Sequence, residues 1–160
     1  MTDVIDKVLG NDAEITALRN RRETLKRLTQ TSYEAALTPK DAGNFSYALR
    51  AALAARMCRL WSATELEEHY RERLASYGDA SVEAITDPGF RPGAADARLD
   101  AILERTDRVT LTPKDATRAD IEKLYAAGLD DRDIVTLSSL VAFVNYQILV
   151  VAGLKMLRDH

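Results

Sequence analysis

DDRDIVTLSSLVAFVNYQILVVAGLK, from Asp130 to Lys155, is the stretch of sequence that decides the fold. Its acidic opening lies where the positive end of a helix dipole favours negative charge. No charged residue occurs from Ile134 to Leu154, and Lys155 and Arg158 then follow where the negative end of a helix favours positive charge. The stretch therefore predicts the longest helix of the chain, beginning after Asp130.

This uncharged stretch holds 21 residues, which is long enough to span a bilayer. Asn145 and Gln147 lie near its middle, however, and such side chains oppose insertion into lipid. A helix that is apolar nearly all round is also typical of the centre of a bundle or of an oligomer interface. We therefore interpret it as a buried helix of a water-soluble protein and keep a membrane anchor as the alternative. Because no signal peptide opens the sequence, we expect a cytoplasmic location.

The hexapeptide Leu-Thr-Pro-Lys-Asp-Ala occurs twice, at 37–42 and at 111–116. A hydroxyl at the cap, a proline at the first helical position and a carboxylate in the first turn are typical of a helix start. Each copy is therefore predicted to begin a helix. Independent selection of good helix caps explains the threonine, the proline and the aspartate of each copy, but it does not easily explain all six identical residues. We therefore favour an internal duplication in which each half is a helical hairpin.

Apolar residues at helical spacing mark the other helices. They predict a first helix from Asn11 or Asp12 to about Thr29 and a second from Pro39 to Leu60. A third helix is predicted to begin at a capping box of Ser62 and Glu65 and to end at Gly78. A short helix over 95–104 and a helix that ends at Gly128 follow. The 160 residues are thus expected to form one all-α domain, with a first half at about 11–78, a connecting loop at about 79–94 and a second half at about 95–158.

Composition excludes several classes of site. The formal net charge of −3 argues against a nucleic-acid-binding surface. Cys58 is the only cysteine and His69 and His160 are the only histidines, so a disulfide within the chain, a CxxC redox pair and a cysteine-rich zinc site are impossible, and we expect no metal or cofactor. The basic run on the first helix is interpreted as a solvated face; it comprises Arg19, Arg21, Arg22, Lys26 and Arg27.

The segment Gly128-Leu129-Asp130-Asp131-Arg132-Asp133-Ile134-Val135, followed by Leu140-Val141-Ala142-Phe143-Val144-Asn145-Tyr146, resembles the core helix of the carboxymuconolactone decarboxylase and alkylhydroperoxidase D-like family. The stretch from Leu37 to His69 resembles a degenerate first copy, and the similarity extends from about Leu37 to Leu157. The resemblance implies an alkylhydroperoxidase D-like helical bundle of two degenerate repeats and a homo-oligomer that assembles through its long helices.

Peroxidases of that family carry a glutamate, a CxxC pair, and a histidine three residues after the second cysteine. Aligned on the acidic cap, this chain has Asn145 and Ile148 at the cysteine positions and Ala152 at the histidine position. Aligned on His69, the first half has Ser62 and Glu65 at the cysteine positions. The thiol-pair mechanism is therefore excluded. The decarboxylase branch uses acid–base groups on small cyclic acids in a pocket between helices and subunits, and it remains open only by analogy of fold.

Three groups of residues are candidates for chemistry. His69 is the internal imidazole, and Glu65, one turn earlier, is a candidate to orient it; the alternative is a partly exposed surface histidine. Cys58 is a candidate nucleophile, although its place on an alanine-rich face favours a buried, inert thiol. Asn145, Tyr146 and Gln147 either line a ligand pocket or form hydrogen bonds across helices or subunits, of which we favour the interface.

Three functional hypotheses follow. The first is a decarboxylase-like homo-oligomer with acid–base chemistry near His69 on a small organic acid or lactone. The second is a non-catalytic small-molecule-binding or structural oligomeric protein. The third is a one-cysteine peroxidase that uses Cys58.

Trp61, at a predicted helix end, is interpreted as a core or interface anchor.

Overall fold

Eight α-helices account for most of residues 3–160, the part of the chain that the computed structural model describes. They are α1 (Val4–Val8), α2 (Ala13–Asn20), α3 (Glu23–Leu37), α4 (Tyr47–Leu60), α5 (Thr64–Tyr77), α6 (Ala97–Leu111), α7 (Arg118–Ala126) and α8 (Asp131–Arg158). Three short 3-10 helices cover Ala80–Thr86, Gly93–Asp96 and Pro113–Asp115. No strand occurs within these residues, so the predicted all-α fold is confirmed.

Helix α4 lies at the centre of the fold. Every residue from Arg50 to Cys58 is buried. The alanines of this segment carry little bulk, so neighbouring helices approach α4 closely. Helix α5 packs back against it as a hairpin, and α6 and α8 cover other sides.

Helix α8 begins as the sequence predicts. The Asp130 carboxylate accepts a hydrogen bond from the backbone N–H of Asp133, and the Asp133 carboxylate accepts one from the N–H of Asp130, so the two form a reciprocal cap. Leu137, Leu140 and Val144 face the core, whereas the opposite face is open. By length and composition alone α8 would also suit a membrane span, with a mean hydropathy of 2.0 in its most apolar window, half of which is buried in the fold.

Each hexapeptide starts on the last residue of a helix and begins no α-helix, so that prediction is wrong, although the second copy begins the three-residue 3-10 helix Pro113–Asp115. Leu37 and Leu111 are the last residues of α3 and α6. Thr38 and Thr112 follow with nearly the same backbone angles, φ −138° and ψ 55° against φ −136° and ψ 56°. The physical reason is that a proline disfavours the α conformation of the residue before it and is common just after a helix end. Helix α4 starts only at the Ser46 cap.

The corner between α4 and α5 matches the corner between α7 and α8. Ser62 and Gly128 both have left-handed backbones, with φ of 54° and 90°. The next N–H closes the preceding helix in each case, from Ala63 to the Cys58 carbonyl at 2.8 Å and from Leu129 to the Leu124 carbonyl at 3.1 Å. Ser62 therefore does not cap α5, and the predicted capping box with Glu65 is wrong. Each half has the order helix, hexapeptide, helix, left-handed corner, helix, as a duplication requires.

Two other predicted boundaries change. The predicted first helix breaks at 21–22, and its second part, α3, continues to Leu37. Helix α6 begins after the Asp96 cap and runs on to Leu111, beyond the predicted end at 104. The predicted loop at 79–94 contains the 3-10 helix Ala80–Thr86.

The basic run is not wholly solvated. Arg19 donates to the carboxylate of Asp3 through two nitrogens, at 2.7 and 2.6 Å, and also pairs with Asp6. Lys26 is buried beside Asp6 and donates to Asn20 at 2.9 Å. These charges are buried because each has a partner of opposite sign. The remaining members, at 21, 22 and 27, are exposed as predicted.

Candidate functional site

Three hydrogen bonds between side chains join helices α3, α5 and α8 pairwise. The Tyr33 hydroxyl lies 2.9 Å from His69 Nε2 and joins α3 to α5. The Thr29 and Tyr146 hydroxyls lie 3.0 Å apart and join α3 to α8. The buried Tyr70 hydroxyl donates to Gln147 Oε1 and joins α5 to α8. The polar residues at 146 and 147 thus bond across helices within the chain, while Asn145 is half-buried.

His69 is buried, with 8% of its surface exposed, so the alternative of a partly exposed histidine is wrong. Burial lowers its pKa from 6.5 to about 4, and the positive charges of Lys7 and Arg73 act in the same direction. Burial also raises the pKa of Tyr33. The ring nitrogen Nδ1 is buried without a hydrogen-bond partner. At neutral pH the pair is therefore an uncharged imidazole and a protonated phenol.

Glu65 lies one turn before His69 on α5 but forms no hydrogen bond with it, and pairs instead with Lys155 of α8. Lys155 Nζ donates to Glu65 Oε1 at 2.6 Å, and this hydrogen bond lowers the pKa of Glu65. The Lys155 and Glu65 side chains are 33% and 40% exposed. Both charged groups are therefore open to solvent, and Glu65 does not orient the histidine as the sequence predicted.

A cleft of about 300 Å³, which we call the Trp61 cleft, lies beside this ion pair between the α4–α5 corner and the second half of α8. Its walls are mainly apolar: Trp61, Ala63, Leu66, Ile148, Leu149, Val151 and Ala152, with Ser62, Glu65 and Lys155 as the polar members. Trp61 is 46% exposed here, so it is not a core residue. His69 does not line the cleft.

The Trp61 cleft joins the two halves of the chain. Ser62 and Glu65, which the resemblance aligns with cysteines in the first half, face the cleft together with Ile148 and Ala152, which it aligns with a cysteine and the histidine in the second half. The walls contain neither a thiol nor an imidazole. The residues around the cleft supply an apolar surface, one hydroxyl, one carboxylate, one ammonium and the indole N–H of Trp61.

Cys58 is completely buried, and burial raises the pKa of its thiol. Its neighbour Arg56 does not activate the thiol because the guanidinium turns to Asp107 instead. The other neighbour, Arg59, is exposed. These surroundings favour the inert thiol over a nucleophile.

Two buried arginines of α4 are structural residues that sequence reasoning missed. Arg56 binds both carboxylate oxygens of Asp107, at 2.7 Å each, and also donates to four backbone carbonyls of the 80–96 connection, those of Ile85, Asp87, Pro88 and Phe90. Arg50 donates to three carbonyls around the first hexapeptide, those of Ala36, Ala42 and Phe45. The sequence did show two charged residues within an alanine-rich helix, which indicates buried arginines with partners. Their hydrogen-bond partners, however, cannot be predicted from the sequence.

No cluster of three or more potential metal ligands occurs among residues 3–160. His160, the other histidine, is exposed at the end of α8.

The sequence matches no protein-family model and no curated protein significantly. The fold is similar to the crystal structure of an uncharacterized peroxidase-related protein from Silicibacter sp. TM1040, with a TM-score of 0.68 and 19% sequence identity. The match covers 79% of this chain but 66% of that protein. At this identity the likeness establishes the fold alone, which is all-helical.

Proposed function

We propose that this protein binds a small organic acid or lactone in the Trp61 cleft and carries out no thiol peroxidase chemistry. The observation that carries the proposal is the placement of one partly exposed ammonium, Lys155, at the edge of a largely apolar cleft of about 300 Å³. Ligand sites of this size are typically apolar with a few polar groups that fix orientation. The ring or chain of the ligand would contact Trp61, Leu66 and Ile148, and its carboxylate would bind Lys155.

The ion pair with Glu65 makes this binding selective. An incoming carboxylate competes with Glu65 for the ammonium, so only a ligand that also buries apolar surface gains affinity. A lactone has no charge and would leave the ion pair intact, with its carbonyl oxygen accepting a hydrogen bond from Lys155. Any proton transfer at the bound ligand would fall to Glu65 and Lys155, because these are the titratable groups of the cleft.

Acid–base chemistry at His69 is less well supported. Its imidazole is buried, neutral at pH 7 and directed to Tyr33. The Tyr33–His69 pair is better suited to holding α3 against α5 than to exchanging protons with a ligand. A one-cysteine peroxidase is disfavoured by the burial of Cys58. The non-catalytic binding protein is therefore the hypothesis that the geometry favours.

The test is a thermal-shift screen with monocarboxylates and lactones of increasing ring size. We expect a hit to raise the melting temperature of the wild type and of Lys123→Met, but not of Ala152→Leu, which fills the cleft. Lys155→Met should lose the carboxylate hits. Lys123 is the matched control because it forms a comparable surface ion pair with Glu104 at 3.0 Å. Ala119→Leu, on the exposed face of α7, controls for added bulk. A ligand that stabilises Ala152→Leu as much as the wild type would refute the site.

A further inference from the structure

A second cleft, of about 220 Å³, lies between α2, α3 and α8 and shares no residue with the Trp61 cleft. We call it the Leu25 cleft. An apolar cavity of about 150 Å³ is enough for one benzene ring, so the Leu25 cleft has room for a ring or a short alkyl chain. Its apolar walls are Ile5, Leu18, Leu25, Val150 and Leu154.

The first half of α3 has its usual polarity reversed around this cleft. Lys26 and Thr29 are buried, with 5% and 7% of their surfaces exposed, whereas Leu25 is 52% exposed. Leu18 of α2 lines the same cleft and is 42% exposed. Removing apolar surface from water is favourable, so an apolar group that lies between these two leucines gains affinity.

The charged side chains that line the cleft are all cations: Arg19, Arg22 and Lys26. Two of them are already paired, since Arg19 and Lys26 bind the carboxylates of Asp3 and Asp6. Arg22, at the N-terminal end of α3, has no ion-pair partner among residues 3–160. One bound monoanion would therefore neutralise the cleft.

Two hydroxyls complete the polar part of the cleft. The Thr29 and Tyr146 hydroxyls both line it and lie 3.0 Å apart, so that one donates to the other. Whichever hydroxyl accepts keeps its own proton, which it can donate to a ligand oxygen. The Leu25 cleft thus combines an apolar surface, one unpaired guanidinium and one hydroxyl donor.

We propose that the Leu25 cleft is a second ligand site, for a carboxylate that carries an alkyl chain or an aromatic ring. The apolar group lies between Leu18, Leu25 and Val150, and the carboxylate accepts two hydrogen bonds from the fork of the Arg22 guanidinium. This inference concerns a different site from the proposed function and does not depend on it.

The two clefts differ in the ligands that they select. In the Trp61 cleft a carboxylate competes with Glu65 for the ammonium of Lys155. No acid lines the Leu25 cleft, so a charged ligand meets no competitor for Arg22. An uncharged ligand would leave Arg22 unpaired, and an inorganic anion would leave Leu18 and Leu25 exposed. The Leu25 cleft therefore favours ligands that have both parts.

An NMR titration with sodium octanoate tests the site in the wild type and in Ala152→Leu, in which the Trp61 cleft is filled. We expect saturable shifts of the Leu25 and Val150 methyl signals in both proteins, with a dissociation constant below about 1 mM. Octanol has the same chain without the charge and should bind at least about 10-fold more weakly.

Two results of this titration would overturn the proposal. Binding that is lost in Ala152→Leu, or shifts confined to the indole N–H of Trp61, the only tryptophan of the chain, would place octanoate in the Trp61 cleft. The absence of saturable binding to the wild type would mean that the Leu25 cleft is covered by something else, such as a second copy of the chain or a lipid surface.

Matched variants test the roles of charge and space. Arg22→Gln should raise the dissociation constant for octanoate about 10-fold or more, because it removes the charge-assisted hydrogen bonds. Arg27→Gln, at an exposed position of α3 outside the cleft, should change it less than about 2-fold. Val150→Trp should abolish binding by filling the cleft, whereas Val135→Trp, at an exposed position of α8 outside it, should not. An unchanged affinity for octanoate in Arg22→Gln or in Val150→Trp overturns the proposal.

Discussion

Protonation of His69 should govern the loss of stability between neutral and mildly acidic pH. In the unfolded chain this imidazole titrates at about 6.5, whereas burial lowers its pKa in the folded protein to about 4. As the pH falls below 6.5, the unfolded chain binds a proton that the folded chain does not. The contribution of His69 to the free energy of unfolding is therefore fully present above pH 6.5. It decreases as the pH falls and is lost completely below about pH 4.

The magnitude follows from proton linkage. With these two pKa values, the free energy of unfolding falls by about 2 kcal/mol between pH 7 and pH 5. For a chain of this size that corresponds to a decrease in melting temperature of about 4–8 °C. Carboxylates titrate mostly below this interval, so His69 dominates the change.

Urea denaturation at pH 7 and pH 5 measures the effect in the wild type and in two variants. His69→Gln keeps a polar group beside Tyr33 but cannot titrate, so its stability should change little between the two pH values. His160→Gln is the matched control, because His160 is the other histidine of the chain and is exposed; it should keep the pH dependence of the wild type. An NMR titration in which the His69 ring protonates near pH 6.5, or equal pH dependence in wild type and His69→Gln, would refute the reasoning.

Two further predictions concern α4. Arg56→Met should lower the free energy of unfolding by about 3–5 kcal/mol, because it leaves the Asp107 carboxylate, the buried Ile85 carbonyl and three partly buried carbonyls without this donor. Exposed Arg59→Met is the control for urea denaturation and should change the free energy of unfolding by less than about 0.5 kcal/mol. Equal effects of the two substitutions would contradict the role of Arg56. Native Cys58 should react with an aromatic disulfide reagent at least about 100-fold more slowly than the unfolded chain, as followed by absorbance, and labelling at the unfolded rate would contradict its burial.

The sequence predicted helix α8 well because several local signals agree there. The acidic cap, the absence of charge and the basic end all follow from interactions within one helix. The hexapeptides show the opposite case. Threonine before proline satisfies the pattern for a helix start, yet proline also ends the helix before it, and Leu37 and Leu111 lie at such ends. Where local signals favour both the start and the end of a helix, tertiary packing determines which of the two occurs.

The candidate site was predictable only in part. The absence of a thiol pair follows from composition, and the resemblance selected four positions that face the Trp61 cleft. That Glu65 pairs with Lys155 and not with His69 could not be predicted, because the two residues are 90 positions apart. The buried network of Arg19, Asp3 and Asp6 was missed for the same reason. A charged residue is predicted to be exposed to solvent unless a partner of opposite charge is known.

The three hydrogen bonds that join α3, α5 and α8 restrict how this core can change over generations. Replacing Tyr70 alone would leave the buried amide of Gln147 without a hydrogen-bond partner and would destabilise the fold. Replacing both residues by apolar residues of similar shape would change the stability little. The same holds for Tyr33 with His69. Substitutions at these positions should therefore persist in descendants as matched exchanges, so that the identity of one partner forecasts that of the other even where the rest of the helices drift.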